Sequence, residues 1–99
     1  MAVTLCAMLW ARPGEDAGLI AYEDAVLALI PVHGGHVVSR VRTDGIGDAP
    51  LEIHVLQFPS EAALEDYMDN PNRLELQADR DRAIARTELH RVALVDTSI

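Results

Sequence analysis

This chain has few cysteines, few basic residues and no long apolar segment. Its single cysteine, Cys6, excludes an internal disulfide, and a reducing cytoplasm is the expected location. Eight basic residues against 16 acidic ones give a formal net charge of −8. This charge argues against nucleic acid and anionic membranes as partners, because both need a basic surface. The apolar run over residues 2–11 is too short to span a bilayer.

Aromatic residues are also scarce, at 4% of the chain, although 49% of the residues are hydrophobic. The core must therefore be built mainly from Leu, Val, Ile and Ala. A length of 99 residues predicts one domain over residues 1–99, near the lower end of the usual size range. Domains of this size often gain stability by forming oligomers.

The order of strand and helix patterns predicts the fold class. Alternating apolar residues predict strands, and helical spacing with capping residues such as Ser60 predicts helices. The predicted elements are strand 3–10, helix 15–30, strand 36–42, strand 51–58, helix 60–70, a short helical piece within 72–85, and strand 87–95. This β-α-β-β-α-β order is that of an α+β, ferredoxin-like fold. Right-handed crossovers then place the first and third strands at the centre of a four-stranded antiparallel sheet, with both helices on one face.

The period of two along each central strand separates two sets of side chains. The more aliphatic set is expected to lie under the helices: Val3, Leu5, Ala7, Leu9, Ile53, Val55 and Gln57. The larger and more polar set is expected on the helix-free face: Thr4, Cys6, Met8, Trp10, Glu52, His54, Leu56 and Phe58. Compatible polarities across the second hairpin predict the pairs Arg42–Glu52, Arg40–His54, Val38–Leu56 and His36–Phe58.

On this prediction the helix-free face is too apolar to be exposed to water and too polar for an ordinary core. Arg40, Arg42 and His90 would add to the polar residues of this face. A second copy of the sheet packed face to face resolves the conflict. The sequence therefore predicts a homodimer through the helix-free face that encloses a polar-lined cavity.

Several local motifs resemble those of the dimeric α+β barrel superfamily, in which two ferredoxin-like subunits close an eight-stranded barrel. The motifs are Gly34-Gly35, a strand ending near Arg40, an alternating strand ending at Phe58-Pro59-Ser60, Ala62-Ala63, Tyr67, and the break at Asp69-Asn70-Pro71. The resemblance covers nearly the whole chain and is nearest to small bacterial members of unknown function. The chain departs from the usual pattern at Gln57, where glutamate is common, and at Asn72-Arg73, where an aromatic residue is common.

The resemblance implies a site for a small molecule. Relatives include cofactor-free antibiotic-biosynthesis monooxygenases, muconolactone-isomerase-like, YciI-like and ethyl-ether-degradation proteins, and haem-binding members. One hypothesis is therefore a cofactor-free enzyme, monooxygenase-like or isomerase-like, that transfers a proton on a small aromatic or polyketide-like substrate. The alternative is a ligand-binding, carrier or sensor dimer that performs no chemistry.

His54, with Glu52 and Arg40, forms the candidate catalytic group, because a histidine tuned by neighbouring charges can act as acid or base near neutral pH. The competing interpretation is a histidine buried in the dimer interface. The candidate ligand-binding residues are Trp10, Phe58, Met8, Arg42 and His90. No metal or cofactor site is predicted, because His33 and His36 flank a glycine pair that favours a structural turn.

Overall fold

A computed structural model describes residues 2–97 and has the element order expected from the sequence. The four strands are β1 (Val3–Ala11), β2 (His36–Arg42), β3 (Glu52–Phe58) and β4 (Ile84–Arg91). The helices are α1 (Asp16–Leu27), α2 (Glu61–Met68), α3 (Pro71–Leu74) and α4 (Gln77–Ala83), and a 3-10 turn spans Ile30–His33. The strands form one antiparallel sheet in the order β2-β3-β1-β4, which confirms the predicted ferredoxin-like topology.

Some predicted boundaries were wrong. The helix expected over 15–30 ends at Leu27, and Pro31 lies in a separate 3-10 turn whose first residues tolerate its missing N–H. The helical piece expected within 72–85 consists of two helices, α3 and α4. The first is capped by Asn70, whose side chain accepts a hydrogen bond from the Asn72 amide. The last strand begins at Ile84 and ends at Arg91, earlier than the predicted 87–95.

The glycine pair between the two histidines is a structural turn. Gly34 has a φ of 75°, in the left-handed region that favours glycine. A Cβ on Gly35 would lie 2.7 Å from the backbone oxygen of Gln57, so only glycine fits between the turn and β3. His33 faces Asn70 instead of His36, with Nε2 3.0 Å from the amide nitrogen.

The predicted face of β1 is confirmed and that of β3 is wrong. Val3, Leu5, Ala7 and Leu9 lie under the helices, as expected, and their partners across the β1–β3 ladder are Phe58, Leu56, His54 and Glu52. Directly paired residues of an antiparallel sheet point to the same face. The four β3 residues assigned to the helix-free face are therefore buried between the sheet and the helices.

The predicted register of the β2–β3 hairpin is confirmed in one half. Arg42 pairs with Glu52 and Arg40 with His54. Between Val37 and Ser39 an irregularity shifts the register, so that Val37 pairs with Leu56 and His36 with Gln57. The predicted Val38–Leu56 and His36–Phe58 pairs are wrong for this reason, since a bulge adds one unpaired residue to its strand.

We call the side of the sheet without helices the open face. Its residues, given by the alternation and by the strand pairing, are Thr4, Cys6, Met8, Trp10, His36, Ser39, Val41, Ile53, Val55, Gln57, Arg86, Glu88 and His90. Its apolar centre, around Met8 and Ile53, is only partly buried within the single chain. Among residues 2–97, no helix is both long and apolar enough to cross a membrane.

Candidate active site between the sheet and the helices

A cavity of about 190 Å³ lies between the helix-covered face of the sheet and the helices α1, α2, α3 and α4. Most of its wall is apolar, contributed by Leu5, Ala7, Leu9, Val26, Leu27, Leu56, Phe58 and Leu64. Exposed Met68 and Leu89 also line it, so the cavity reaches the surface. Its polar groups are few and chemically distinct: Tyr22, Glu23, His54, Tyr67, Arg73, Arg80 and Thr87. An apolar pocket with a few convergent polar groups is the usual form of a small-molecule site.

Glu52 is the buried anchor of the polar groups beside this cavity. Its carboxylate is fully buried and accepts two hydrogen bonds from Arg40, at 2.8 and 3.1 Å, and two from Arg42, at 2.9 and 2.6 Å. Burial raises the pKa of this carboxyl, but the hydrogen bonds from Arg40, His54 and Arg42 outweigh burial and lower it to about 2. Glu52 is therefore ionised at neutral pH and can only accept hydrogen bonds.

This charge fixes the tautomer of His54. The Nε2 atom of His54 lies 2.7 Å from Glu52 Oε1, and an ionised carboxylate has no proton to donate, so Nε2 must carry the proton. Burial lowers the pKa of His54, whereas the hydrogen bond to Glu52 acts in the opposite direction. The ring is therefore neutral near pH 7 and its Nδ1 atom has a free lone pair. A carboxylate that orients an imidazole in this way prepares the other nitrogen to act as a base.

Glu23, on α1, is the third member of the group, and sequence reasoning missed it. Its Oε2 atom lies 3.8 Å from His54 Nδ1, beyond hydrogen-bonding distance, and both side chains line the cavity. Burial and the nearby negative charge of Glu52 raise the pKa of Glu23 to about 7, so this carboxyl is about half protonated at neutral pH. The sequence did contain a signal for it, because Glu23 lies within the apolar stripe of Leu19, Tyr22, Val26 and Leu27. A glutamate on the apolar face of a helix is rarely buried without a polar partner.

The structure brings four of the eight predicted site residues into one network. His54, Glu52 and Arg40 are in contact, and Arg42 joins them through Glu52. Arg40 also binds Asp24 of α1 at 2.7 Å, which ties the helix to β2. The whole group lies under the helices, however, and not in the predicted cavity on the helix-free face.

The remaining predicted ligand-binding residues divide between the two faces. Phe58 is part of the cavity wall. Met8, Trp10 and His90 lie on the open face, on the other side of the sheet from His54, so they cannot share a ligand with it inside one subunit. Trp10 instead donates its indole N–H to the Asp48 carbonyl at 2.8 Å.

The chemistry available at this site is acid–base chemistry. Among residues 2–97, no three or more His, Cys, Asp and Glu side chains are placed to hold a metal ion. A neutral imidazole with an oriented lone pair and a carboxyl with a pKa of about 7 stand side by side in an apolar cavity. Pairs of groups whose surroundings push their pKa values apart are common where a proton is moved in catalysis.

Comparison with known proteins agrees with the fold. No protein-family description and no curated protein matches the chain. Among solved structures, Rv0793 from Mycobacterium tuberculosis superposes with a TM-score of 0.77 at 19% identity, covering 100% of both chains. A nipsnap family protein of unknown function from Agrobacterium tumefaciens gives 0.77 at 17%, covering 98% of this chain and 91% of its own. A dabb family protein with a ferredoxin-like fold from Mesorhizobium loti gives 0.68 at 14%, covering 96% and 98%.

The chain has a ferredoxin-like fold. The likeness to these small proteins confirms, at the level of the fold, the resemblance expected from the sequence. Identities below 20% across the full chain carry no information about substrate. The function must therefore be argued from the cavity itself.

The unusual pKa of Glu23 predicts how stability depends on pH. Its folded-state pKa of about 7 lies above the ordinary value of 4.5, so its favourable contribution is present below about pH 4.5 and is lost as the pH rises through about 7. Glu23→Gln keeps the shape and removes this loss. We expect the variant to be more stable than the wild type by about 1–3 kcal/mol near pH 8, with a much smaller difference near pH 5.

Denaturant unfolding at the two pH values measures this difference. Glu65→Gln, on the exposed side of α2, is the matched control and should change little at either pH. A Glu23→Gln variant with the same relative stability at both pH values would contradict the assigned protonation of Glu23.

Proposed function

We propose that this chain is a small-molecule-binding enzyme that transfers protons without a cofactor, with His54 as the base. The observation that carries the proposal is the oriented His54 Nδ1 lone pair in the wall of an apolar cavity. The substrate class is a small, aromatic or polyketide-like compound with a C–H bond next to a carbonyl group. The cavity volume is about 190 Å³. Pockets for drug-sized ligands typically measure about 300–1,000 Å³, so this cavity favours a smaller substrate.

In the proposed reaction, His54 Nδ1 accepts the proton from the carbon next to the carbonyl. The electron pair of the broken C–H bond forms the enolate. The protonated carboxyl of Glu23 donates a hydrogen bond to the enolate oxygen. Return of the proton from His54 to another carbon of the conjugated system gives an isomer and restores both groups.

The surroundings of His54 and Glu23 favour proton transfer between this site and a ligand. Leu56, Phe58 and Leu64 give the cavity a buried apolar wall, and electrostatic contacts are stronger beside such a wall than in water. Glu52 remains ionised and stabilises the imidazolium that forms after proton abstraction. Arg40 and Arg42 keep Glu52 in place, so the base is positioned before a ligand arrives.

Hydrogen–deuterium exchange tests this proposal with a defined probe. Phenylacetone in D₂O, followed by proton NMR, should lose its signals at the carbons next to the carbonyl faster with the protein than in buffer alone. Binding of phenylacetone without faster exchange would instead support the non-catalytic carrier or sensor. Neither binding nor exchange by a panel of small aromatic ketones would contradict the proposal.

We also propose that two copies of the chain pair through the open face. Cys6, Met8, Val41, Ile53 and Val55 form an apolar centre on this face, and none of them is fully buried by residues 2–97. Rims of polar residues such as Gln57 and Glu88 surround the centre. An apolar patch with a polar rim is typical of a protein–protein interface.

The dimer can be tested by one substitution on each side of the subunit. The wild type should behave as a dimer in light scattering, and Ile53→Asp should give a folded monomer, because the dimer would bury an unpaired carboxylate. Ile53 is only partly buried within the single chain, so the monomer tolerates the change. Val32→Asp, at an exposed position in the 3-10 turn, should leave the dimer intact. A wild type that is monomeric at micromolar concentration would contradict this interface.

A further inference from the structure

We propose that the substrate carries a carboxylate, and that Arg73 and Arg80 bind it in the same cavity that holds His54. This inference rests on the proposed function and narrows its substrate class to small 2-oxo acids with an apolar or aromatic body. In such a compound the carboxylate is bound by the arginines, the apolar body lies against the leucine and phenylalanine wall, and the C–H next to the keto group faces His54.

The first observation is the distribution of ion pairs. All eight basic residues of the chain are arginines, and they share the chain with 16 acids. Five of them form ion pairs with a carboxylate: Arg40, Arg42, Arg82, Arg86 and Arg91. Within residues 2–97, the other three, Arg12, Arg73 and Arg80, form no ion pair with a carboxylate. Arg12 donates to the Asp81 backbone carbonyl instead, whereas Arg73 and Arg80 line the cavity. In so acidic a chain, two guanidinium groups without a carboxylate partner at one cavity are suited to bind an anionic ligand.

The second observation concerns Arg73, whose Nε atom is buried without a hydrogen-bond partner. Its Nη1 atom makes a long hydrogen bond of 3.4 Å to the Met68 carbonyl, and its guanidinium lies 5.2 Å from the centre of the Tyr67 ring. Buried N–H groups of native proteins are nearly always bonded. Stacking on Tyr67 explains where the side chain lies, but it leaves the Nε–H unsatisfied, and a ligand oxygen would satisfy it.

Arg80 brings a second guanidinium to the cavity from α4. Its Nη2 atom donates to Thr87 Oγ1 of β4 at 3.1 Å, which holds the side chain against the cavity wall. This single bond leaves the other N–H groups of Arg80 available. Guanidinium groups bind carboxylates through paired N–H donors, so Arg73 and Arg80 together suit a carboxylate better than a neutral group.

The remaining acid of the cavity does not oppose an anionic ligand. Glu23 is the one acid among the lining residues, and burial keeps it about half protonated at neutral pH, with a pKa of about 7. Both arginines line the same cavity as Glu23 and His54, and their positive charges act to lower the pKa of Glu23. A ligand whose carboxylate is bound by these two arginines therefore places its reactive carbon within the same small cavity as His54.

The experiment compares two probes that differ in the acidic group. Phenylpyruvate and phenylacetone share the benzyl ketone, but the first has a carboxylate where the second has a methyl group. Isothermal titration should show that phenylpyruvate binds about 10- to 100-fold more tightly, and that this preference falls with added salt. Arg73→Gln and Arg80→Gln should each reduce the preference about tenfold or more. The matched control Arg82→Gln, exposed on α4 and paired with Asp79, should retain the wild-type preference.

The outcomes separate this inference from the proposed function. Equal binding of the two probes, or a preference that survives in both Arg73→Gln and Arg80→Gln, would overturn the carboxylate site, while deuterium exchange of phenylacetone would still support the base. If Arg73→Gln fails to fold, Arg80→Gln and the salt dependence decide the question. If neither probe binds nor exchanges, both the carboxylate site and the proposed function are wrong.

Discussion

Replacing His54 with glutamine is expected to lower the catalysed exchange rate of phenylacetone by about two to four orders of magnitude. Glutamine can still donate an amide N–H to Glu52, so Glu52 keeps a hydrogen-bond partner at this position. The glutamine side chain has no basic nitrogen, however, and cannot accept a proton. The rate of deuterium incorporation, measured by NMR at equal protein concentration, gives the ratio directly. Circular dichroism of the variant establishes that it is folded.

His90→Gln is the matched control for this experiment. His90 was a predicted ligand-binding residue, but it lies exposed on the open face, away from the cavity. The same change of imidazole to amide at this position should leave the exchange rate near that of the wild type. A His54→Gln variant that keeps the wild-type rate, or a His90→Gln variant that loses it, would contradict the assignment of the base.

Glu52→Gln is expected to reduce the free energy of unfolding by about 3–5 kcal/mol. The substitution removes the one negative charge that Arg40, Arg42 and His54 share, and leaves the guanidinium groups facing a buried neutral amide. For a domain of this size the loss is a large part of a total stability of about 5–15 kcal/mol. Denaturant unfolding at neutral pH, followed by circular dichroism, measures it.

The effect of Glu52 must also depend on pH. Its folded-state pKa of about 2 lies below the ordinary 4.5, so its contribution is present above about pH 4.5 and is lost as the pH falls toward 2. The difference between wild type and Glu52→Gln should therefore shrink in acid. Glu61→Gln is the control, because its ion pair with Arg91 is exposed and should be worth no more than about 1 kcal/mol. A Glu52→Gln variant as stable as this control would contradict the role of Glu52 as an anchor.

The order of elements, the strand order and the pairing of Arg40 with His54 and of Arg42 with Glu52 could all be predicted from the sequence, because alternation, turn residues and cross-strand charge act locally. The side of the sheet on which each β3 side chain lies could not be predicted. Polarity alone assigned Glu52 and His54 to the side away from the core, whereas their pairing with Leu9 and Ala7 of β1 sets their direction. Arg40 and Arg42 make the burial of Glu52 possible.

The positions of Glu23, Arg73 and Arg80 in the site could not be predicted from the sequence for a different reason. Each lies on a helix, and which helical side chains meet a particular strand depends on packing between distant segments. Glu23 meets His54 only because α1 crosses β3, and Arg73 and Arg80 reach the cavity only because residues 71–83 fold into two short helices. The sequence showed an acid on an apolar helical stripe, but it did not show what that acid would contact.

Methyl NMR titration with phenylpyruvate tests most directly the claim that the ligand site lies between the sheet and the helices. Leu56 and Ile53 belong to the same strand but face opposite sides of the sheet, as do Leu5 and Val55 across the β1–β3 ladder. We expect the methyl signals of Leu5, Leu56 and Leu64 to shift on binding while those of Ile53 and Val55 remain in place. Shifts confined to Ile53 and Val55 would place the ligand on the open face and contradict it.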